Sequence, residues 1–137
     1  MIQLVYYSIS KIDLTSEDMS DILVSSRKYN SNNNITGCLL YHNKVFLQLL
    51  EGDKEVVQNL YESIKKDTRH SNITLLIEEE VKEKMFPGWS MAFHEFNNNS
   101  SNINQFIKNI DFFAENSDKQ TEAIDLFWRM AKQIVVK

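Results

Sequence analysis

At 137 residues with 42% hydrophobic side chains, the chain is the size of one domain and can bury a core without covalent staples. Its single cysteine, Cys38, excludes an internal disulfide and no secretory leader pattern opens the sequence, so a reducing cytoplasm is the expected location. No apolar run approaches the roughly 18 to 20 residues of a membrane span, and a net charge of −4 with no basic cluster beyond short pairs such as Lys65-Lys66 argues against membrane and nucleic-acid partners.

Ile2 to Ser8 is β-branched and aromatic and reads as a strand, and Thr15-x-x-Asp18 behind it is a capping box that starts a helix. Met19, Ile22, Leu23, Ser26 and Tyr29 follow at helical spacing, until the run Asn30 to Asn34 ends the helix. Ile35 to Tyr41 and Val45 to Leu50, separated by His42-Asn43-Lys44, read as a hairpin of two interior strands. Val56, Val57, Leu60, Tyr61 and Ile64 mark a second helix ending near Asp67. Ile73 to Val81 and Ser90 to Phe96 are two further strands bridged by Met85 to Trp89.

The resulting order, β-α-β-β-α-β-β, predicts an α+β fold with a ferredoxin-like mixed sheet and two helices on one face. A right-handed crossover between the first two strands leaves a gap for the third, so strands one and three should be central neighbours. After a linker at Asn97 to Asn102 come two more apolar helical stripes, Ile103 to Phe113 and Ile124 to Ile134. This C-terminal helical pair is expected on the sheet's other face. The division is 1–96 for the principal domain and 97–137 for a helical cap or output segment, too short to hold a cyclase or phosphodiesterase.

Gln48 interrupts an apolar central strand with an amide, whose unpaired burial would cost roughly 1–3 kcal/mol. Alternation puts Phe46, Gln48 and Leu50 on one strand face and Leu4, Tyr6 and Ser8 on another, making Tyr6 the natural partner. A Tyr–Gln bond that only satisfies the core is the plain alternative. The histidines His42, His70 and His94 are scattered, and neither a metal-ligand cluster nor a nucleophile–base pair appears. No enzymatic activity and no metal are therefore expected.

Tyr6 to Ser8, Asn30 with Ile35-Thr36-Gly37, Phe46-x-Gln48-x-Leu50-Glu51-Gly52, Asp67-x-Arg69-His70 and Phe86-x-x-Trp89-x-Met91 occur in that order. In order and spacing the set resembles the signatures of the BLUF domain, a flavin-binding blue-light sensor, here of the short stand-alone type. The resemblance implies a photoreceptor in which Tyr6 gives an electron and proton toward the excited flavin and the Gln48 amide rearranges. It implies that Asn30 meets the flavin edge, that Ile22 and Ile64 sandwich the ring, and that Asp67, Arg69 and His70 lie near the ring edge or side chain. Ser8 and Phe46, inside the matching strings, join the cofactor's surroundings. Trp89 and Met91 match a pair implicated in signalling beside the glutamine, and which of them faces the flavin stays open.

FAD is the implied cofactor, with FMN as the alternative. A downstream protein met through the C-terminal helices and self-association are the expected protein contacts. A light-indifferent ferredoxin-like binding module is the rival reading. Cys38 invites thiol–flavin photochemistry, but the Asn-Cys-Arg-Phe-Leu-Gln string of LOV domains is absent, and a packed strand cysteine is expected instead. Asp67, Arg69 and His70 could also simply finish a helix.

Overall fold

The computed structural model describes residues 1–12, 14–84, 92–95 and 121–136, with the backbone alone at 16, 92–95 and 134–136. The elements run β1 (Ile2–Ser10), α1 (Ser16–Asn32), β2 (Thr36–His42), β3 (Val45–Gly52), α2 (Lys54–Lys66), β4 (His70–Glu80), β5 (Ala92–Glu95) and α3 (Glu122–Val136). One sheet holds all five strands in the order β4-β1-β3-β2-β5. The third strand thus fills the gap between the first two, as the crossover argument requires. β1 pairs antiparallel with β3 and β4, β2 antiparallel with β3, and β2 parallel with β5.

Local chemistry starts the first helix where the sequence indicates. Thr15 caps α1 through a reciprocal box, its hydroxyl accepting from the Asp18 amide at 3.1 Å and Asp18 accepting from the Thr15 amide at 3.0 Å. Asp53 caps α2 by accepting from the Glu55 and Val56 amides. The β2–β3 turn is tighter than the three residues expected: His42 pairs with Val45, leaving Asn43 and Lys44, both at positive φ, as the loop. Two consecutive left-handed residues match the right-handed twist of the strands they join.

Helix α1 reaches Asn32 and so takes in the first three residues of the Asn-rich run, and the left-handed residue that ends the turn is Asn34. Strand β4 begins at His70 rather than Ile73. Gly37 has a steric reason: a Cβ there would sit 1.9 Å from the Leu49 carbonyl oxygen of the adjacent strand.

Period-two alternation sorts the sheet into two faces. Ile2, Leu4, Tyr6, Leu39, Tyr41, Phe46 and Leu50 pack with Met19 and Leu23 of α1 and Val57 and Tyr61 of α2. Val5, Cys38, Leu40, Leu47 and Leu49 pack on the opposite side with Ala123, Ile124, Phe127, Trp128 and Ala131 of α3. Two helices therefore cover one face, and a C-terminal helix covers the other. Residues 85–91 and 96–120, including the bridge at Met85 to Trp89, the linker and the first tail stripe, lie outside the described residues.

Candidate functional site

The two covering helices leave a cleft between them, floored by the sheet and enclosing about 690 Å³ with its open mouth included. Its floor is made by Tyr6, Leu39, Phe46 and Gln48, one helix contributes Ile22, Ser26, Tyr29 and Asn30, and the other Leu60 and Ile64. The 22, 26, 29, 30 set is one helical stripe, and Asp67, Arg69 and His70 complete the wall beyond α2.

Tyr6 and Gln48 stand directly opposite each other on β1 and β3. The Tyr6 hydroxyl donates to Gln48 Oε1, and both side chains are buried, at 4% and 6% exposure. Burial first, then the neighbouring Tyr61 and the Asp67 carboxylate, push the Tyr6 phenol well above the usual tyrosine range. Its proton therefore stays on the phenol at any ordinary pH, held against the amide oxygen. Tyr61 braces this phenol from α2, the two ring centroids lying 5.4 Å apart at 53°.

The rim is an organised polar cluster. Arg69 reaches Asp67 through Nε at 3.0 Å and through Nη2 at 2.5 Å, and this guanidinium holds the Asp67 carboxyl below its usual range. His70 Nε2 lies 2.7 Å from the Ile64 carbonyl, which can only accept, so that nitrogen carries the proton. In neutral imidazole Nδ1 then accepts from the Ser8 hydroxyl at 2.8 Å. His70 therefore closes the end of α2 as well as lining the cleft. Because both ring nitrogens are engaged, what it offers the cleft is ring surface, packed edge-on to Phe46 with centroids 6.3 Å apart.

The structure brings together Tyr6, Gln48, Asn30, Ile22, Ile64, Asp67, Arg69, His70 and Phe46. Ser8 stands behind the wall, fully buried, and reaches the cleft only through His70. Trp89 and Met91 lie outside the described residues. Leu14, Leu39 and Leu60 were not singled out. Leu60 could have been, since it precedes Ile64 by one helical turn, and Leu39 sits opposite Gln48 in the β2–β3 register. Tyr7 turns toward the α3 face, as does Cys38, whose thiol is buried and pushed far above its usual range by burial and then by Glu51. A thiol on the far side of the sheet is not positioned to add to anything in the cleft. Among the described residues no metal-binding group of side chains occurs, and no helix is long and apolar enough to cross a membrane.

The family described as sensors of blue-light using FAD matches residues 1–92. This chain belongs to the BLUF family. It is similar to the photoactivated adenylate cyclase subunit beta of Euglena gracilis, 35% identical over 90 residues, which are 65% of this chain and 10% of that protein. The chain thus spans about a tenth of the length of the curated relatives it first matches. Among solved structures, BlsA in its photo-activated state is 32% identical with a TM-score of 0.71, covering 99% of this chain and 95% of that one. Klebsiella pneumoniae BlrP1 with FMN and cyclic diGMP gives a TM-score of 0.74 at 22% identity, over 99% of this chain and 34% of its own. At that identity the likeness bears on the fold alone.

BLUF domains bind flavin, and the cleft suits one on its own terms. A flat heteroaromatic ring needs apolar walls on both sides, and Ile22 and Ile64 stand on different helices across the opening. Its edge carries amide-like donors and acceptors, and buried Asn30 and Gln48 can complement both kinds. This BLUF chain is a flavin-based blue-light sensor.

Proposed function

We propose that Tyr6 and Gln48 are the light-driven switch of this sensor and that the output is a change in protein–protein contact rather than catalysis. The observation that carries the reading is the buried Tyr6–Gln48 hydrogen bond in the floor of the cleft. When bound, the flavin absorbs the blue photon and supplies the oxidising excited state. Tyr6 is an oxidisable phenol whose proton is already hydrogen-bonded to an acceptor, so an electron and that proton can leave together and return together. Gln48 offers a carbonyl acceptor and two N–H donors, and an amide can exchange those ends by rotation or tautomerisation. A returned proton with a rearranged amide is a second stable hydrogen-bond pattern, which is what a two-state switch requires.

Ile22 and Ile64 would hold the ring, Asn30 its edge, and Asp67 and Arg69, with the surface of His70, the outer part of the cofactor. Trp89 and Met91 are proposed to follow Gln48, and the segment 97–137, a helical pair by its apolar stripes, to carry the change to a partner or a second copy. The division at residue 96 and a cytoplasmic setting, argued from the reduced Cys38, belong to the same proposal.

Purified protein reconstituted with FAD, and separately with FMN, should be yellow. Blue light should move its absorption band slightly to the red, with reversion in darkness. Gln48→Leu and Tyr6→Phe should each retain flavin and lose the shift. A normal photocycle in Tyr6→Phe would overturn the assignment of roles, and a colourless, light-indifferent protein would favour a simple binding module.

A further inference from the structure

The pair Tyr6–Gln48 has a counterpart on the other side of the same two strands. Gln3 faces Glu51 across β1 and β3 as Tyr6 faces Gln48, three positions earlier on one strand and three later on the other. An odd offset turns the second pair to the α3 face, about 10 Å along the strands at 3.3 Å per residue. Gln3 is 1% exposed and Glu51 is fully buried, so a carboxyl group sits inside the sheet face that α3 covers, beside an apolar cluster. Burying such a group is costly unless it is well hydrogen-bonded, and the flavin cleft makes no use of it.

Its bonds lead to one place. Thr36 donates to Glu51 Oε1 at 2.9 Å, and Gln3 Nε2 donates to Glu51 Oε2 at 3.1 Å. The Gln3 carbonyl accepts from the Thr121 hydroxyl at 2.5 Å, and the Thr121 oxygen accepts from the Ile124 amide at 3.2 Å. Beside this chain Glu79, which faces Gln3 across the β1–β4 register, accepts from the Ala123 amide at 3.2 Å. From the Ile124 amide through the Thr121 hydroxyl and the Gln3 amide, each donor points toward the Glu51 carboxyl group, which Thr36 reaches from β2. Gln3 has a single orientation that serves both neighbours, since a flipped amide would set its oxygen against the carboxylate. The free amides at the N-terminus of α3 are thus tied to β1, β3 and β4 by side chains.

We infer that Gln3, Glu51 and Thr121 form a latch that ties the N-terminal end of α3 to the sheet in the dark and that light opens. The inference rests on the proposed output through the C-terminal helices and names where that output is released. Rearrangement at Gln48 shifts β3 against β1, the same displacement separates Glu51 from Gln3, and the Gln3 amide can then no longer hold Thr121.

The test is amide hydrogen exchange at Ala123 and Ile124 in the flavin-loaded full chain, in darkness and under blue light, with absorption recorded on the same samples. In wild type both amides should be protected in the dark and lose protection in the light. Thr121→Val keeps the side-chain shape but removes the hydroxyl. Its dark protection at Ile124 should fall by about tenfold, the scale of a lost helix cap, with the light–dark difference gone and the flavin red shift intact. Gln3→Met should behave the same way, and Thr121→Ser should retain wild-type behaviour. Wild-type exchange in Thr121→Val, or equal exchange in dark and light in wild type with the red shift present, would overturn the latch. Loss of the red shift in wild type itself would instead sink the Tyr6–Gln48 reading, and the latch with it.

Discussion

On β3, Phe46, Gln48 and Leu50 point one way and Leu47, Leu49 and Glu51 the other, and the two sets meet different neighbours. The first set faces two helices that part to leave a cleft walled by polar and apolar side chains. The second set lies under α3, where Phe127 and Trp128 pack edge-on with centroids 4.9 Å apart and small Ala123 and Ala131 let the helix close onto the strands. One face is built around a space, and the other packs an apolar cluster directly beneath α3. A buried amide lies in the floor of the cleft on the first face, while Gln3, Thr36 and Glu51 on the second are gathered at the end where the N-terminus of α3 is held.

The comparison breaks most sharply at Gln48 itself. Gln48→Leu should abolish the light-induced red shift completely while leaving the protein folded and yellow, because in the proposed switch the amide's task is proton exchange and its volume can be supplied by leucine. Circular dichroism and flavin absorption on one sample check both halves of that statement. The matching lesion on the other face is Leu49→Ala, which deletes a fully buried side chain beneath α3. It should cost roughly 2–5 kcal/mol in denaturant unfolding, with the red shift preserved at temperatures where the variant remains folded. If the two variants exchanged phenotypes, the division of labour between the faces would be wrong.

Smaller effects sharpen the picture within the cleft. Ile64→Ala should weaken flavin retention by about tenfold, the value of a truncated apolar contact of roughly 1–3 kcal/mol, as measured by flavin release in ultrafiltration. pH should matter least of all. With the Tyr6 phenol held far above the ordinary tyrosine range, the red-shift amplitude should be level from neutral pH through about 10, where a free tyrosine is half ionised. The linkage has a definite sign: the raised folded-state value favours the protonated fold, so this contribution to stability is complete below the unfolded value and declines as pH rises above it. An amplitude that halves between pH 7 and 9 would place the titrating group elsewhere.

Much of the site was legible because it depends on two simple periods. Strand alternation set Tyr6 facing Gln48, and the helical stripe from Met19 through Ile22 and Ser26 to Tyr29 marked the buried face of α1. Less legible were features decided by tertiary partners. His70 begins β4 instead of preceding it, since its ring is anchored between Ser8 and the Ile64 carbonyl. Helix α1 runs into the asparagines because Asn30 is buried against the cleft, where tertiary packing outweighs asparagine's poor helix propensity. The role of Glu51 was hidden for the same reason: the motif Leu50-Glu51-Gly52 reads as the end of a strand, and only the register with Gln3 and Thr36 reveals a buried carboxylate.

The most direct test of the switch is a light-minus-dark infrared difference spectrum of flavin-loaded protein carrying isotope-labelled glutamine, with Gln48→Leu as the reference. Side-chain amide bands that move with the label on illumination, and vanish in the variant, are the predicted result. Label-insensitive difference bands in a protein that still shows the red shift would contradict it, because the flavin would then be changing state without the Gln48 amide taking part.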